Sequence, residues 1–300
     1  MKRTAILVAI VVGGIGLAVA AQQPAAGQGG QGAGRGPQAP FVAEIQRVKD
    51  NLYMLTGGGG NTAALIGANG VTLVDTKLAN WGPAIMEKLR TVTDKPVTMI
   101  INTHMHGDHV GSNEFFDTRV EIVTHENTRA NMEKMEALKA KANAMPDRVF
   151  KDRLTVGRGA EQIDLYYFGA GHTDGDALVV FPALRLLHAG DLFPGKLVPI
   201  IDVGRGGSGV AYPDTLAKAT QTIRGVDTVI PGHSTVMTWA DLIEFTEFNR
   251  EFLAGARAAR QAGRTPEQAA AELKLPAKFS GYTMTRAPTN MTVIFNELAR

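Results

Sequence analysis

The chain has 300 residues, of which 44% are hydrophobic and 20% are charged, which is enough apolar material for one large folded domain or two small ones. Its formal net charge is only +2 and no clustered basic stripe accompanies it, so we expect no binding to nucleic acid. The chain contains no cysteine, which excludes disulfides and leaves histidine and carboxylate side chains as the ligands for any metal site.

The first twenty residues predict a secretory signal peptide. Basic Lys2 and Arg3 precede an apolar run, and Ala18 and Ala20 form an A-x-A cleavage site before Ala21. The alternative is an uncleaved membrane anchor, but the apolar run is short for a span and glycines interrupt it. Cleavage would leave 29 basic against 29 acidic residues. We therefore expect an exported protein, periplasmic or secreted, that is nearly neutral and has no stable membrane anchor.

The rest of the chain predicts a linker followed by one folded domain. Residues 21–40 are Gly, Gln, Ala and Pro without a large apolar side chain, which is typical of a flexible linker. The domain is expected over residues 41–300, with C-terminal helices at about 239–275. Short apolar runs between turn residues predict strands at 52–57, 62–68, 71–76, 96–103, 161–168, 176–181, 184–188 and 227–231. Helical spacing and start signals predict helices at 80–92, 126–144, 213–224 and 239–262, and a shorter one after Thr265. This mixture predicts an α/β layered domain.

Residues 104–109 read HMHGDH and follow the strand predicted to be most deeply buried. His104 and His106 on a tight turn can face one metal ion, while Asp108 and His109 can face a neighbouring position. Imidazole and carboxylate groups together suit Zn²⁺. Two further histidines, His172 and His233, also lie beside glycines, which raises the question of whether all five converge.

The H-x-H-x-D-H arrangement at a strand end resembles the signature of the metallo-β-lactamase superfamily. The other elements of that pattern are also present, in the order that the superfamily has, and the resemblance covers residues 42 to about 240. They are Asp75 in LVDT, His172 in GAGHTDGD, Asp191 in LLHAGDLF and His233 in VIPGHS. The resemblance implies an α/β fold, specifically a four-layer αββα sandwich of the metallo-β-lactamase type.

The resemblance implies two Zn²⁺ ions as cofactors, and iron or manganese are open alternatives. The ligands of the first ion would be His104, His106 and His172, those of the second Asp108, His109 and His233, and Asp191 would bridge both. A hydroxide shared by the metals would be the nucleophile, because a bound metal lowers the pKa of water to about 7. Asp108 would act as the catalytic residue that orients this hydroxide and passes its proton onward. Asp75 would orient a ligand rather than bind metal.

The resemblance implies a hydrolase of small molecules but leaves the substrate open, because the superfamily hydrolyses several classes of bond. Aspartate at position 191 favours a lactone, ester or thioester, since the best-studied lactamases carry Cys or Ser at the bridging position. Those enzymes also often have a carboxylate-binding lysine where this chain has Pro194, and Lys196 is a candidate substitute. A true β-lactamase is the alternative function. A di-iron redox relative and a non-catalytic binding protein are less favoured, the second because no ligand of the pattern is missing.

Several residues near the motifs are assigned on weaker grounds. The Gly-rich run at 57–60 predicts either a flap over the substrate or a simple hairpin turn. His125 and His188 fall outside the pattern and are expected to be structural. Ser208 is not expected to be a nucleophile, because RGGSGV lacks the final glycine of G-x-S-x-G. The oligomeric state is not predicted. The candidate substrate contacts are Phe193, Lys196, Arg205 and Tyr212.

Overall fold

Two mixed β-sheets form the centre of the fold in residues 41–300, which are the part of the chain that the computed structural model describes. The predicted signal peptide (1–20) and linker (21–40) lie outside the described residues. Strands β1 to β4 pair antiparallel and β4 to β7 pair parallel, so the first sheet keeps the order of the chain. Its strands are β1 (Glu44–Lys49), β2 (Leu52–Thr56), β3 (Thr62–Ile66), β4 (Val71–Val74), β5 (Val97–Ile101), β6 (Glu121–His125) and β7 (Arg148–Phe150).

The second sheet has six strands in the order β13-β12-β11-β10-β9-β8. All neighbours in it pair antiparallel except β11 and β12, which are parallel. The strands are β8 (Arg153–Val156), β9 (Ile163–Tyr166), β10 (Leu178–Phe181), β11 (Leu186–Gly190), β12 (Thr228–Pro231) and β13 (Met237–Thr238). Each sheet therefore contains parallel strands whose carboxyl ends meet at one edge.

Eight α-helices accompany the sheets in the described residues. They are α1 (Gly82–Leu89), α2 (Gly107–Val110), α3 (Glu126–Met132), α4 (Glu136–Lys139), α5 (Tyr212–Thr222), α6 (Trp239–Gln261), α7 (Pro266–Glu272) and α8 (Ala287–Glu297). Helix α1 buries Ile85 and Leu89 against the outer face of the first sheet. Helices α5, α6, α7 and α8 cover the outer face of the second sheet. In the part of the chain that the structure describes, no helix is long and apolar enough to be a candidate membrane span.

The middle of the core lies between the two sheets, and strand β5 shows how the sequence builds the layers. Adjacent residues of a strand point to opposite faces. Ile101 accordingly packs between the sheets beside Val179 and Ile230, whereas Ile100 packs under α1 beside Ile85. The strand is apolar on consecutive positions because both of its faces are covered. The order is helix, sheet, sheet, helix, so the predicted αββα sandwich is confirmed.

Helix starts follow the local signals that the sequence contains. At α6, Thr238 accepts a hydrogen bond from the backbone N–H of Asp241, and the Asp241 carboxylate accepts one from the N–H of Thr238. Thr265 and Gln268 form the same reciprocal cap before α7, where Pro266 occupies the first turn. These caps satisfy backbone donors that the first helical turn leaves free.

The prediction of one helical stretch over 126–144 is wrong. The backbone is extended at Met135 and again at Lys141, which divides the stretch into α3, α4 and a short 3-10 turn. These breaks let Met132 and Leu138 join Met105 in one small buried cluster beside the HMHGDH segment. Packing of this cluster overrides the helical pattern. Strands β1, β6, β7, β8 and β13 and helices α2 and α8 are not predicted from the sequence.

Candidate metal centre

Seven polar side chains converge at the edge where the carboxyl ends of the parallel strands meet. His104 and His106 lie on the turn after β5, and Asp108 and His109 lie in the short helix α2 that follows. The second sheet contributes His172 after β9, Asp191 directly after β11, and His233 two residues after β12. Carboxyl ends of parallel strands are where open α/β sheets form binding sites.

The potential ligand atoms fall into three groups, in each of which the atoms lie within 4.8 Å of one another. The first group is His104, His106 and His172, and the third is Asp108, His109 and His233. The middle group, His104, His109 and Asp191, lies between them and shares members with each. The structure thus brings together all seven residues that the sequence predicts as metal ligands, and their role as ligands stays a prediction.

The hydrogen bonds of the first group fix which nitrogen of each imidazole carries the proton. His172 Nδ1 donates to the backbone carbonyl of Ile200 at 2.9 Å, and His106 Nε2 donates to Asp202 Oδ2 at 2.8 Å. A ring that carries its proton on the donating nitrogen has a lone pair on the other nitrogen. Those two nitrogens, His172 Nε2 and His106 Nδ1, face each other at 2.8 Å.

A third lone pair joins them from His104. The Thr103 hydroxyl donates to Asp75 Oδ2 at 2.7 Å, so its oxygen accepts from His104 Nδ1 at 3.0 Å. His104 Nε2 is therefore unprotonated, and it lies 3.1 Å from His106 Nδ1. Three converging lone pairs repel one another unless a cation lies between them. The first group thus fits a metal ion on its own hydrogen-bonding pattern.

The third group also joins imidazole and carboxylate atoms. His109 Nδ1 donates to Asp75 Oδ2 at 2.7 Å, which turns His109 Nε2 toward His233 Nε2 at 3.5 Å. Asp108 Oδ2 lies 3.6 Å from His109 Nε2 and 3.4 Å from His233 Nε2. Nitrogen and carboxylate oxygen donors in this arrangement fit a second divalent cation.

Asp191 lies between the two groups. Its Oδ2 is 3.1 Å from His233 Nε2 and 3.7 Å from His172 Nε2, and its Oδ1 is 3.3 Å from His109 Nε2. The Oδ1 atom is buried and has no hydrogen-bond partner among the described residues. A buried carboxylate oxygen without a partner is costly unless a cation compensates it. This oxygen fits a bound cation, independently of the imidazole hydrogen bonds.

Burial and neighbouring charges shift the pKa values of the imidazoles in different directions. Burial holds the pKa of His104 well below its ordinary value of 6.5, and burial likewise lowers the pKa of His172 to about 4. Both rings are therefore neutral, as metal ligation requires. Burial also acts to lower the pKa of His109, but the carboxylates of Asp191 and Asp75 outweigh it and raise that pKa well above 6.5.

Asp75 holds the cluster together from below. It lies directly after β4 and is fully buried, and its carboxylate accepts hydrogen bonds from the Thr103 backbone N–H at 2.8 Å, the Thr103 hydroxyl and His109. Its φ of +64° is a left-handed conformation that aspartate tolerates better than most residues. Asp75 is not a member of any of the three groups, and its role of orienting a ligand stays a prediction.

The Gly-rich turn at 57–60 packs directly on the third group. A Cβ atom on Gly60 would lie 2.2 Å from the His109 ring, and one on Gly59 would lie 2.4 Å from Asp108 Cβ. The buried ammonium group of Lys77 donates to the carbonyls of Leu55 and Gly60, each at 2.9 Å, and so ties the two ends of the turn together. Burial lowers the pKa of Lys77 to about 7 despite the nearby carboxylates of Asp75 and Asp108. The turn is therefore part of the wall of the metal centre.

Comparison with known proteins agrees with this geometry. The model of the Metallo-beta-lactamase superfamily matches residues 55–233, which are more than half of the chain and include all seven clustered residues. The chain belongs to the metallo-beta-lactamase superfamily. It is accordingly a hydrolase of that superfamily.

Individual relatives of this superfamily hydrolase are named for different reactions. The chain is 25% identical over 205 residues to metallo-beta-lactamase IND-1 of Chryseobacterium indologenes, a match to 64% of this chain and 82% of that protein. It is 29% identical over 201 residues to the 2,4-dinitroanisole O-demethylase subunit alpha of Nocardioides sp. (strain JS1661), a match to 62% of this chain and 56% of that protein. The fold is also similar to the sec-alkylsulfatase Pisa1 from Pseudomonas sp., with a TM-score of 0.71 and 16% identity over 85% of this chain and 50% of that one.

Two of the four predicted substrate contacts are not available in this superfamily member. Phe193 is fully buried in the core under the second sheet and packs on Phe245. Tyr212 is also buried, and its hydroxyl donates to the backbone carbonyl of Asp191 at 3.0 Å. Both predictions are wrong because these aromatic side chains are core residues, although Tyr212 does fix the backbone that carries the central carboxylate.

The other two predicted contacts are both polar. Lys196 forms ion pairs with Asp241 at 2.9 Å and Glu244 at 3.1 Å, and hydrogen bonds to these two carboxylates raise its pKa. Its charge is therefore already neutralised. Arg205 is partly buried at the end of the short turn Val203–Arg205, within the loop that contacts His106 and His172. That position keeps Arg205 as a candidate substrate contact.

The histidines outside the motif have structural surroundings. His188 is fully buried, and its ring contacts the carbonyl of Asn61 at 3.1 Å. His125 caps α3 by accepting a hydrogen bond from the N–H of Asn127. Neither histidine belongs to a potential metal group in the described residues.

Asp202 and Lys77 contact the site in the structure but are not predicted as site residues from the sequence. Asp202 lies in IIDVGRGG, where an aspartate between an apolar run and glycines gives no metal-site motif. The only general signal for such a residue is that a ligating histidine almost always donates its second N–H to a carboxylate or carbonyl. That rule predicts a partner for His106 but does not identify it as Asp202. Lys77 follows Asp75 by two residues and reads as an exposed loop lysine. Nothing in the sequence shows that its ammonium group is buried.

Proposed function

We propose that this chain is a dinuclear zinc hydrolase that cleaves a lactone, ester or thioester. The observation that carries the proposal is the pair of ligand-type groups on either side of Asp191, whose buried Oδ1 atom has no hydrogen-bond partner among the described residues. His104, His106 and His172 would hold one ion, and Asp108, His109 and His233 the other, with Asp191 between them. Zinc suits an all-nitrogen-and-oxygen site with imidazole in the majority.

When bound, the ions would supply a water nucleophile at neutral pH and would polarise the carbonyl that is attacked. The protein's own groups have separate tasks. The neutral His104 and His172 rings contribute lone pairs without having to lose a proton first. Asp75 and Asp202 orient His109 and His106, respectively, by accepting their second N–H.

Asp108 is suited to the proton transfer. Its side chain is 28% exposed, whereas that of Asp191 is 8% exposed. A carboxylate at the mouth of the site can take a proton from the attacking water and return it to solvent or to the leaving group. Asp191, which is enclosed by histidines, is suited to hold a constant negative charge instead.

Two features favour an uncharged ester or lactone over a β-lactam. The residue between the two groups is Asp191 rather than cysteine or serine. The nearest lysine, Lys196, has its charge neutralised by Asp241 and Glu244, so it is not free to bind the carboxylate of a β-lactam. Arg205 remains the one candidate for that task among the residues predicted to contact substrate.

A true β-lactamase is the second candidate, and the relatives favour it. Metallo-beta-lactamase IND-1 and the metallo-beta-lactamase type 2 of Elizabethkingia meningoseptica match this chain over more than four fifths of their own lengths. At 25% and 28% identity these matches do not determine which bond the chain hydrolyses. We further propose that the protein is exported and acts on a small molecule, as the first twenty residues predict.

Hydrolysis measured on a substrate panel tests the proposal. The chain from residue 21 is loaded with zinc and assayed on a γ-lactone, a p-nitrophenyl ester, a thioester and a chromogenic cephalosporin, with and without a chelator. We expect zinc-dependent turnover of the lactone or an ester, and none by His109→Ala. Zinc-dependent turnover of the cephalosporin alone would favour the second candidate. Turnover that persists in chelator and in His109→Ala would contradict both.

A further inference from the structure

The loop of residues 199–210, between β11 and α5, holds the first metal group from outside. The carbonyl of Ile200 accepts the hydrogen bond from His172 Nδ1, and the carboxylate of Asp202 accepts the one from His106 Nε2. The backbone N–H of Asp202 also donates to the carbonyl of His172 at 2.9 Å. The orientation of two of the three imidazoles in this group therefore depends on where this loop lies.

Most of the loop has no regular secondary structure, apart from the short turn Val203–Arg205. Its two ends are joined internally, because Gly207 N–H donates to the Asp202 carbonyl at 2.8 Å. Ser208 N–H donates to the carbonyl of Gly171, the residue before His172, at 3.0 Å. A shift of residues 207–210 is thus transmitted to Asp202 and to the His172 segment.

The C-terminal helix α8 holds this loop at both ends. Near the start of the loop, the buried Asn290 side chain donates to the carbonyl of Pro199 at 2.9 Å. At the end of the loop, the Glu297 carboxylate accepts three hydrogen bonds, from the Ser208 hydroxyl at 2.6 Å and from the N–H groups of Gly209 and Val210 at 2.9 and 3.2 Å.

Apolar packing joins the same two elements. A Cβ atom on Gly209 would lie 2.6 Å from Ile294 Cγ1, so the helix and the loop backbone are in close contact there. Three hydrogen bonds to one carboxylate are stronger than bonds to a neutral acceptor, and they satisfy donors that α5 leaves free before its first turn. Glu297 is consequently the most important single contact between α8 and the loop.

We infer that α8 is a positioning element of the metal centre, and that Glu297 and Asn290 set the orientation of His106 and His172 through the 199–210 loop. Both residues lie outside residues 55–233, the span that matches the superfamily model. The inference rests on the proposed function only in that the first group binds a metal ion. The last helix would then affect metal affinity although it lies more than 50 residues after His233 in the sequence.

Zinc affinity, measured by competition with a chromogenic chelator, tests this inference in two backgrounds. His233→Ala keeps the first group complete, and His106→Ala keeps the third group complete. We expect Glu297→Ala to weaken zinc binding about tenfold in the first background, at the low end for a residue that supports a metal ligand, because Glu297 acts through the loop. In the second background the same substitution should leave zinc affinity unchanged.

Two further variants control for folding. Glu297→Gln keeps the shape and one acceptor oxygen, and we expect it to weaken zinc binding at the first group by less than Glu297→Ala does. Glu272→Gln removes a surface carboxylate of α7 that pairs with Arg264 and touches no residue of the loop, and it should change neither affinity. Circular dichroism establishes that each variant is folded before its zinc affinity is compared.

Each outcome decides the inference. Equal zinc affinity of Glu297→Ala and Glu272→Gln in the His233→Ala background would overturn it. An equal loss in both backgrounds would overturn it as well, because that result indicates general destabilisation. If the unmodified chain binds no zinc, the proposed function fails and the inference fails with it. If the chain binds zinc but hydrolyses no member of the substrate panel, only the proposed reaction fails, and the affinity comparison still decides the role of Glu297.

Discussion

Replacing Asp75 by asparagine isolates the contribution of one buried carboxylate to both the fold and the metal centre. The two oxygens of Asp75 accept three hydrogen bonds, two from Thr103 and one from His109 Nδ1. Asparagine has one acceptor oxygen. If that oxygen takes the Oδ2 position, it keeps the bonds from the Thr103 hydroxyl and His109, but its amide group then faces the Thr103 N–H.

The cost follows from this count. Leaving the buried Thr103 N–H without an acceptor costs about 1–3 kcal/mol, and making the bond to His109 neutral costs about 1 kcal/mol more. Asparagine tolerates the φ of +64° at this position, so no backbone strain is added. We therefore expect Asp75→Asn to lower the free energy of unfolding of the metal-free protein by about 2–4 kcal/mol. Zinc affinity should fall about tenfold, because His109 loses part of its orientation.

Urea unfolding in chelator measures the first effect, and chelator competition measures the second. Asp75→Ala is the matched variant, since it loses all three hydrogen bonds and adds about 1 kcal/mol for a left-handed residue without a polar side chain. It should be the less stable of the two. Unchanged stability and unchanged zinc affinity of Asp75→Asn would refute the argument that this carboxylate supports the site.

Three other outcomes are expected. Gly60→Ala places a Cβ 2.2 Å from the His109 ring and should lower kcat/KM about 100-fold, whereas Gly107→Ala meets nothing within 4 Å and should leave kcat/KM nearly unchanged; equal activities would contradict the steric argument. Because the pKa of Lys77 is about 7 in the folded chain and 10.5 is its ordinary value, the unfolded chain binds more protons between these pH values and stability must rise with pH. Urea unfolding should show a gain of about 2 kcal/mol from pH 7 to pH 9 that Lys77→Met lacks, and a gain in both proteins would refute this assignment. Asp108→Ala should abolish turnover while zinc still binds the first group, which metal analysis and the substrate assay check together; retained full activity would rule out the proposed proton transfer.

The sequence, through its resemblance to the superfamily, was sufficient to predict the αββα fold and the seven residues that converge. The seven clustered residues lie in the segments that follow strands, so short motifs such as HMHGDH and IPGHS identify the strand ends as well as the side chains. The order of these motifs along the chain is what makes the resemblance to the superfamily recognisable. Local signals of this kind survive in a single sequence because strand, turn and ligand are adjacent in it.

The failures share a different cause, which is dependence on contacts between distant parts of the chain. The sequence analysis names Phe193 and Tyr212 as candidate substrate contacts, but both side chains are buried in the core by contacts with distant parts of the chain. Asp202 acts on His106 across 96 positions of sequence. Helix α8 has no side chain that caps its start, so Pro288 in its first turn is a start signal without a capping residue before it.

The three potential metal groups each combine residues from both sheets. His104, His106, Asp108 and His109 follow a strand of the first sheet, while His172, Asp191 and His233 follow strands of the second. Bound ions would therefore link the two sheets of the sandwich. Part of the free energy of metal binding would then stabilise the packing of one sheet against the other. The supply of metal would then govern how much of the newly made chain survives proteolysis, as well as how much of it is active.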